Sequence, residues 1–164
     1  PGKHEPMENE KVTEWLRSSP ACAPLDGPLD QVLSLDKLKV YEIRGGQLGF
    51  FIGARELAHI EPAGQLDLPL PVEIGQNLVN IGILSHHPGL DNNGWYRFTF
   101  QDEGYAPTAA WILGLAHLLY ALSERGEGDP ITKAEMDAFT RGPKCVAAMR
   151  AAAARWNALP AEAS

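Results

Sequence analysis

The sequence has few cysteines, few basic residues and no long uninterrupted apolar segment, and each shortage argues against a class of protein. Cys22 and Cys145 are the only cysteines; they lie far apart, and neither belongs to a C-x-x-C motif. This spacing favours two free thiols in a reducing compartment over a disulfide. We therefore expect a cytoplasmic protein.

Basic residues are outnumbered, with 14 Lys and Arg against 21 Asp and Glu and a net charge of -7. An acidic protein without a Lys/Arg cluster repels phosphate backbones, so we expect no nucleic-acid partner. The longest apolar stretch, 109–122, is interrupted by Gly114 and His117, and it is shorter than the roughly 18 to 20 residues that span a bilayer. Residues 1–11 are polar and charged, which predicts neither a signal peptide nor a membrane partner.

A chain of 164 residues is long enough to bury a full hydrophobic core. We interpret residues 1–164 as a single domain. Residues 1–6 are interpreted as foreign residues that precede a natural start at Met7. The oligomeric state is left open, because nothing in the sequence addresses it.

The periodicity of apolar residues predicts both strands and helices. The expected strands are 39–44, 48–52, 55–61, 65–68 and 95–100. The expected helices are 8–17, 29–33, 71–82, 107–123 and, in the C-terminal segment 132–159, 132–142 and 144–159. This order predicts an α+β fold, with a mostly antiparallel sheet of about five strands and helices packed on one face.

The residues most suited to chemistry are concentrated between positions 53 and 95. Three of the five histidines, His59, His86 and His87, fall in this window. Histidine titrates near neutral pH and can act as an acid, a base or a metal ligand. The loop 88–94 that follows the histidine pair either reaches over the sheet or is an ordinary turn.

Strand geometry predicts which of these side chains lie together. Alternate residues of a strand share a face, so the odd-numbered residues of 55–61, which include Arg55, His59 and Glu61, are expected to project together. Glu56 is expected to point the other way. A solvated face of a half-exposed sheet would show the same alternation.

Asp67 is expected to join the His59 face if the next strand pairs back through the intervening turn. An imidazole beside one or two carboxylates is the usual arrangement of a general base. His59, Glu61 and Asp67 with His86 or His87 could equally hold a divalent metal ion.

Three segments of the chain resemble the luciferase-domain family, which includes the cofactor-independent luciferases of luminous fungi and many bacterial proteins. They are R-E-L-A-H at 55–59 with L-D-L-P-L-P at 66–71, H-H-P-x-x-D-x-x-G-W at 86–95, and a later helix that contains L-L-Y at 118–120. The resemblance extends over about 47–123, and it does not include the flanking helices.

The resemblance implies a shared fold and, in the fungal members, oxidation of a hydroxylated pyrone by molecular oxygen without metal or flavin. Such chemistry needs a base that forms an enolate and a dry aromatic pocket. The chain differs at Glu61, where the fungal pattern has a second histidine in H-x-H. We therefore expect a small-molecule role other than light emission, either as a cofactor-independent oxygenase or as a related enzyme.

Four residues are assigned catalytic roles on this resemblance. His59 is the expected base, and Asp67 or Glu61 orients it. Arg55 is expected to hold an anionic oxygen of an aromatic or enolisable substrate, and His87 to assist proton transfer.

Three residues are expected to contact the ligand rather than to react. Trp95 packs on the substrate, while His86 and Glu61 lie beside it. No cofactor and no metal is expected in this interpretation, and the partner is a small molecule.

Two other classes of function remain open. A non-catalytic binding or interaction module would have an apolar pocket or patch, and the alanine-rich helix 144–159, with Met149 and Trp156 on one stripe, would be its docking surface. A metal-dependent hydrolase would use His59 and Glu61 with His86 or His87.

Overall fold

The computed structural model describes residues 5–88 and 94–124. The predicted helices of segment 132–159, most of segment 1–6 and the loop residues 89–93 lie outside the described residues, as does Cys145. Cys22 is a buried free cysteine, as predicted.

An open antiparallel sheet of six strands forms the centre of the molecule, with the order β1-β2-β3-β4-β6-β5. The five predicted strands are confirmed, and the additional strand β5 pairs two residues with β6. The strands are β1 Leu38–Ile43, β2 Gln47–Ile52, β3 Arg55–Glu61, β4 Gln65–Pro69, β5 Ser85–His86 and β6 Trp95–Thr99.

Four α-helices lie within the described residues: α1 Asn9–Arg17, α2 Asp30–Leu33, α3 Val72–Asn80 and α4 Ala106–Ser123. Pro71 precedes α3, and Gly82, with φ of 86°, follows its end, because a left-handed residue suits the position after a helix. The predicted α+β class is confirmed, with one strand more than expected.

One face of the sheet is apolar and packs on the helices. Helix α4 contacts β3 and has buried residues from its first turn to its last. It is also the one helix of the described part that is long and apolar enough to cross a membrane, but half of it is buried inside the fold, as in a core helix. The fully buried side chains of the sheet's apolar face include Leu48, Phe50, Ile60, Leu66 and Leu68.

Helix α3 approaches the same face at Gly75. A Cβ placed on Gly75 would lie 2.2 Å from the ring of Tyr96 on β6. Glycine is therefore needed here for the close contact between helix and strand, and α3 is fixed against the sheet.

A β-bulge in β3 decides which side chains face away from the helices. Phe50 of β2 pairs with Ala58, but the next residue, Phe51, pairs with Glu56, so Leu57 is an extra residue on β3. Leu57 and Ala58 are consequently both buried in the core. An inserted residue reverses the alternation of a strand. The predictions that Glu56 points away from His59 and that Leu57 points with it are therefore wrong.

Candidate functional site

The candidate site lies on the sheet face opposite the helices, across the three strands β3, β4 and β6. His59 pairs directly with Asp67, and Asp67 pairs directly with Arg97. Residues opposite each other in antiparallel strands have Cβ atoms about 5 Å apart. The sheet register therefore places two cationic groups on either side of one carboxylate.

Asp67 is the centre of this cluster and is fully buried. The Arg97 guanidinium donates from Nε to Oδ1 at 2.8 Å and from Nη2 to Oδ2 at 3.0 Å. Burial alone would raise the pKa of Asp67, but the contacts with His59 and Arg97 outweigh it and hold that pKa well below its usual range. Asp67 is therefore ionised at neutral pH.

His59 lies between two carboxylates, one at each ring nitrogen. Its Nδ1 is 2.5 Å from Glu56 Oε2, and its Nε2 is 3.4 Å from Asp67 Oδ2. Burial lowers the pKa of His59, but the hydrogen bonds and charges of Asp67 and Glu56 raise it to about 9. His59 is therefore an imidazolium at neutral pH, with both N–H groups directed at carboxylates.

Glu61 forms the polar edge of the cluster. Arg97 Nη2 donates to Glu61 Oε2 at 3.2 Å. Burial and the neighbouring Asp67 raise the pKa of Glu61, while Arg97 and His59 lower it. The pKa of Arg97 is raised by Asp67 against the effect of its own burial.

His87, directly after β5, and Trp95, the first residue of β6, complete the site. His87 Nε2 lies 3.3 Å from Asp67 Oδ2, the same oxygen that faces His59. The His87 backbone N–H donates to the Trp95 carbonyl at 3.2 Å, which extends the pairing of the two strands. The Trp95 and His59 rings lie 5.8 Å apart between centroids. Six residues drawn from 53–95 of the sequence thus meet here, together with Arg97.

Two predicted site residues lie elsewhere. The Arg55 guanidinium lies 5.4 Å from the ring centroid of Tyr120 on α4, which is a cation–π contact on the helical side of the sheet. The His86 ring lies 5.4 Å from that of Tyr96, whose side chain belongs to the apolar face. The structure therefore brings together His59, Glu61, Asp67, His87 and Trp95, and it separates Arg55 and His86 from them.

Two residues of the site were not predicted. Glu56 was assigned to the wrong face, although the adjacent apolar pair Leu57 and Ala58 in an otherwise alternating strand is a signal of a bulge. Arg97 was not considered. Its position inside the alternating W-Y-R-F-T strand places it on the Trp95 face, but its pairing with Asp67 depends on contact between strands 30 residues apart.

His59, Glu61 and Asp67 offer three ligand atoms within 4.8 Å of one another, a set that fits a metal ion in type and spacing. Arg97, however, already donates to both Asp67 oxygens and to Glu61. Its guanidinium supplies the positive charge that these carboxylates require. The cluster is therefore better described as an arginine-neutralised network than as a metal centre.

These features define an α+β domain with a histidine–carboxylate network on the face of the antiparallel sheet opposite the helices described above. The family model of the luciferase domain matches residues 54–116, about two fifths of the chain. The match includes every residue of the network and confirms the family assignment made from the sequence. No curated protein and no solved structure matches the chain.

Proposed function

We propose that this domain is an enzyme that removes a proton from a small aromatic or enolisable molecule without a metal or an organic cofactor. The observation that carries the proposal is the sharing of Asp67 Oδ2 by His59 and His87. A carboxylate behind an imidazole orients the ring and stabilises the imidazolium that forms when the ring accepts a proton.

We assign the role of base to His87, although the sequence had suggested His59. A base must be deprotonated before it acts, whereas the pKa of about 9 keeps His59 charged at neutral pH. Both nitrogens of His59 also face carboxylates. His87 contacts Asp67 through Nε2, and this carboxylate would stabilise the imidazolium that forms when His87 accepts the substrate proton.

The other residues of the site differ in how far solvent and a ligand can reach them. Asp67 is inaccessible to solvent, whereas the side chains of His59 and His87 are 15% and 19% exposed. Trp95, whose ring lies beside His59, provides an aromatic wall for a flat ligand.

The reaction consistent with the family is an oxygenation. The substrate O–H or C–H bond breaks, its proton passes to His87, and the electron pair remains on the substrate as an enolate. The enolate carbon forms a bond to molecular oxygen and reduces it to a peroxide anion. Return of the proton from His87 gives the neutral hydroperoxide and restores the imidazole.

The test uses oxygen uptake with 4-hydroxy-6-methyl-2-pyrone as the probe, followed by mass analysis of the product. We expect uptake above the buffer rate by the wild-type protein and a loss of about 100-fold or more in His87→Gln, since general bases contribute factors of this size. His117→Gln is the matched control, because His117 bonds the Asp36 carbonyl outside the network.

Three outcomes are decisive for this proposal. An unchanged rate in His87→Gln would remove His87 from the mechanism. Pyrone binding without oxygen uptake would overturn the catalytic proposal in favour of a non-catalytic binding module. Uptake that requires added zinc and is abolished by chelation would restore the metal-dependent alternative.

A further inference from the structure

Glu56 reaches His59 only because β3 contains a bulge. In a regular strand, residues three positions apart lie on opposite faces. The extra residue Leu57 brings Glu56 and His59 to the same face, where Glu56 Oε2 and His59 Nδ1 form a contact of 2.5 Å. The irregularity is fixed by packing, because Leu57 and Ala58 are both buried in the core.

The two carboxylates on His59 determine the orientation of its ring. Glu56 accepts from Nδ1 and Asp67 lies at Nε2, so a ring flip would move both nitrogens away from these carboxylates. His59 in turn faces the same oxygen, Asp67 Oδ2, that faces His87. Glu56, His59, Asp67 and His87 therefore form a continuous chain of contacts across β3 and β4 to the segment that follows β5.

We propose that Glu56 is a positioning residue, which acts through His59 to hold the Asp67 carboxylate in the orientation that His87 requires. Glu56 does not touch His87 or the substrate in this scheme. Its effect on the reaction rests on the proposed function, but its effect on the His59 ring does not.

The ring itself can be observed by nuclear magnetic resonance in ¹⁵N-labelled protein at pH 7. We expect protected Nδ1–H and Nε2–H signals from His59, with the Nδ1 proton far downfield because its bond to Glu56 is short and charge-assisted. Glu56→Ala should lose the Nδ1–H signal to solvent exchange. Glu56→Gln should restore it at a less downfield position, since an amide oxygen also accepts a hydrogen bond.

Glu42→Ala is the matched control, because Glu42 is an exposed glutamate of β1, which β2 separates from β3 in the sheet. It should leave the His59 signals unchanged. A wild-type protein without a protected Nδ1 proton, or a Glu56→Ala spectrum identical to that of the wild type, would overturn the proposal. If Glu56→Ala does not fold, an Nδ1 proton in Glu56→Gln at the same position as in the wild type would overturn it equally.

The kinetic arm separates this inference from the proposed function. With the pyrone probe, Glu56→Ala should lower kcat by about 10- to 100-fold, the loss typical when a carboxylate that orients a metal-bound histidine is removed. KM should change little, because Glu56 does not contact the substrate. Changed ring signals with wild-type kcat would overturn the positioning role, whereas unchanged ring signals with an inactive wild-type protein would overturn both proposals.

Discussion

Replacement of His59 by glutamine should change how the stability of the domain depends on pH. The pKa of His59 is raised from 6.5 to about 9 in the folded protein. The charged ring therefore stabilises the folded state fully below pH 6.5, and this stabilisation is lost as pH rises through 9. One pKa unit corresponds to about 1.4 kcal/mol, so the full effect is about 3 kcal/mol.

The assay is urea unfolding of the wild type and His59→Gln at intervals between pH 6.5 and 10. The difference in unfolding free energy between the two proteins should shrink by about 2 to 3 kcal/mol over this range. His86→Gln is the control, because His86 is exposed and lies on the other side of the sheet. A difference that stays constant with pH, or that grows toward pH 10, would refute the placement of His59 between two carboxylates.

Two further perturbations test the network and the packing that supports it. Asp67→Asn and Arg97→Met should each destabilise the fold by about 1.5 to 3 kcal/mol, because each removes charge-assisted hydrogen bonds between Arg97 and the buried Asp67. Glu61 still pairs with Arg97 in the first variant, and His59 still faces Asp67 in the second. Arg17→Gln, at the surface pair with Asp26, should change stability by less than about 1 kcal/mol. If Arg17→Gln lowered the free energy of unfolding as much as Asp67→Asn and Arg97→Met do, the Asp67–Arg97 pair would be no stronger than a surface pair. Gly75→Ala should lower the thermal unfolding midpoint, because the added Cβ would meet the Tyr96 ring. Gly114→Ala is the control: it has open space around it and should raise the stability by up to about 1 kcal/mol. Equal unfolding midpoints for the two variants would contradict the close approach of α3 to the sheet.

Within residues 5–88 and 94–124, local patterns predicted the strands and helices well, because each element depends on a few neighbouring residues. The turn between β3 and β4 places Asp67 opposite His59, and this pairing was expected from the hairpin alone. The family assignment also followed from short motifs within the matched region.

The predictions of which side chains share the site were wrong where one inserted residue, or the pairing of strands distant in sequence, determines the face of a side chain. The extra residue Leu57 reversed the faces of Arg55 and Glu56, because a strand has a period of two residues. His86 and His87 are neighbours at the end of β5, so only one of them can face the site. Arg97 depends on the pairing of β4 with β6, which no local pattern specifies.

The most direct test of the central claim is a titration of the ¹⁵N-labelled protein with 4-hydroxy-6-methyl-2-pyrone, followed through the histidine and tryptophan ring signals. We expect saturable shifts of the His87 and Trp95 signals, with the His86 and His117 signals unaffected. Shifts confined to His86 or His117, or no shift at His87 at saturating pyrone, would contradict a catalytic site on the sheet face opposite the described helices.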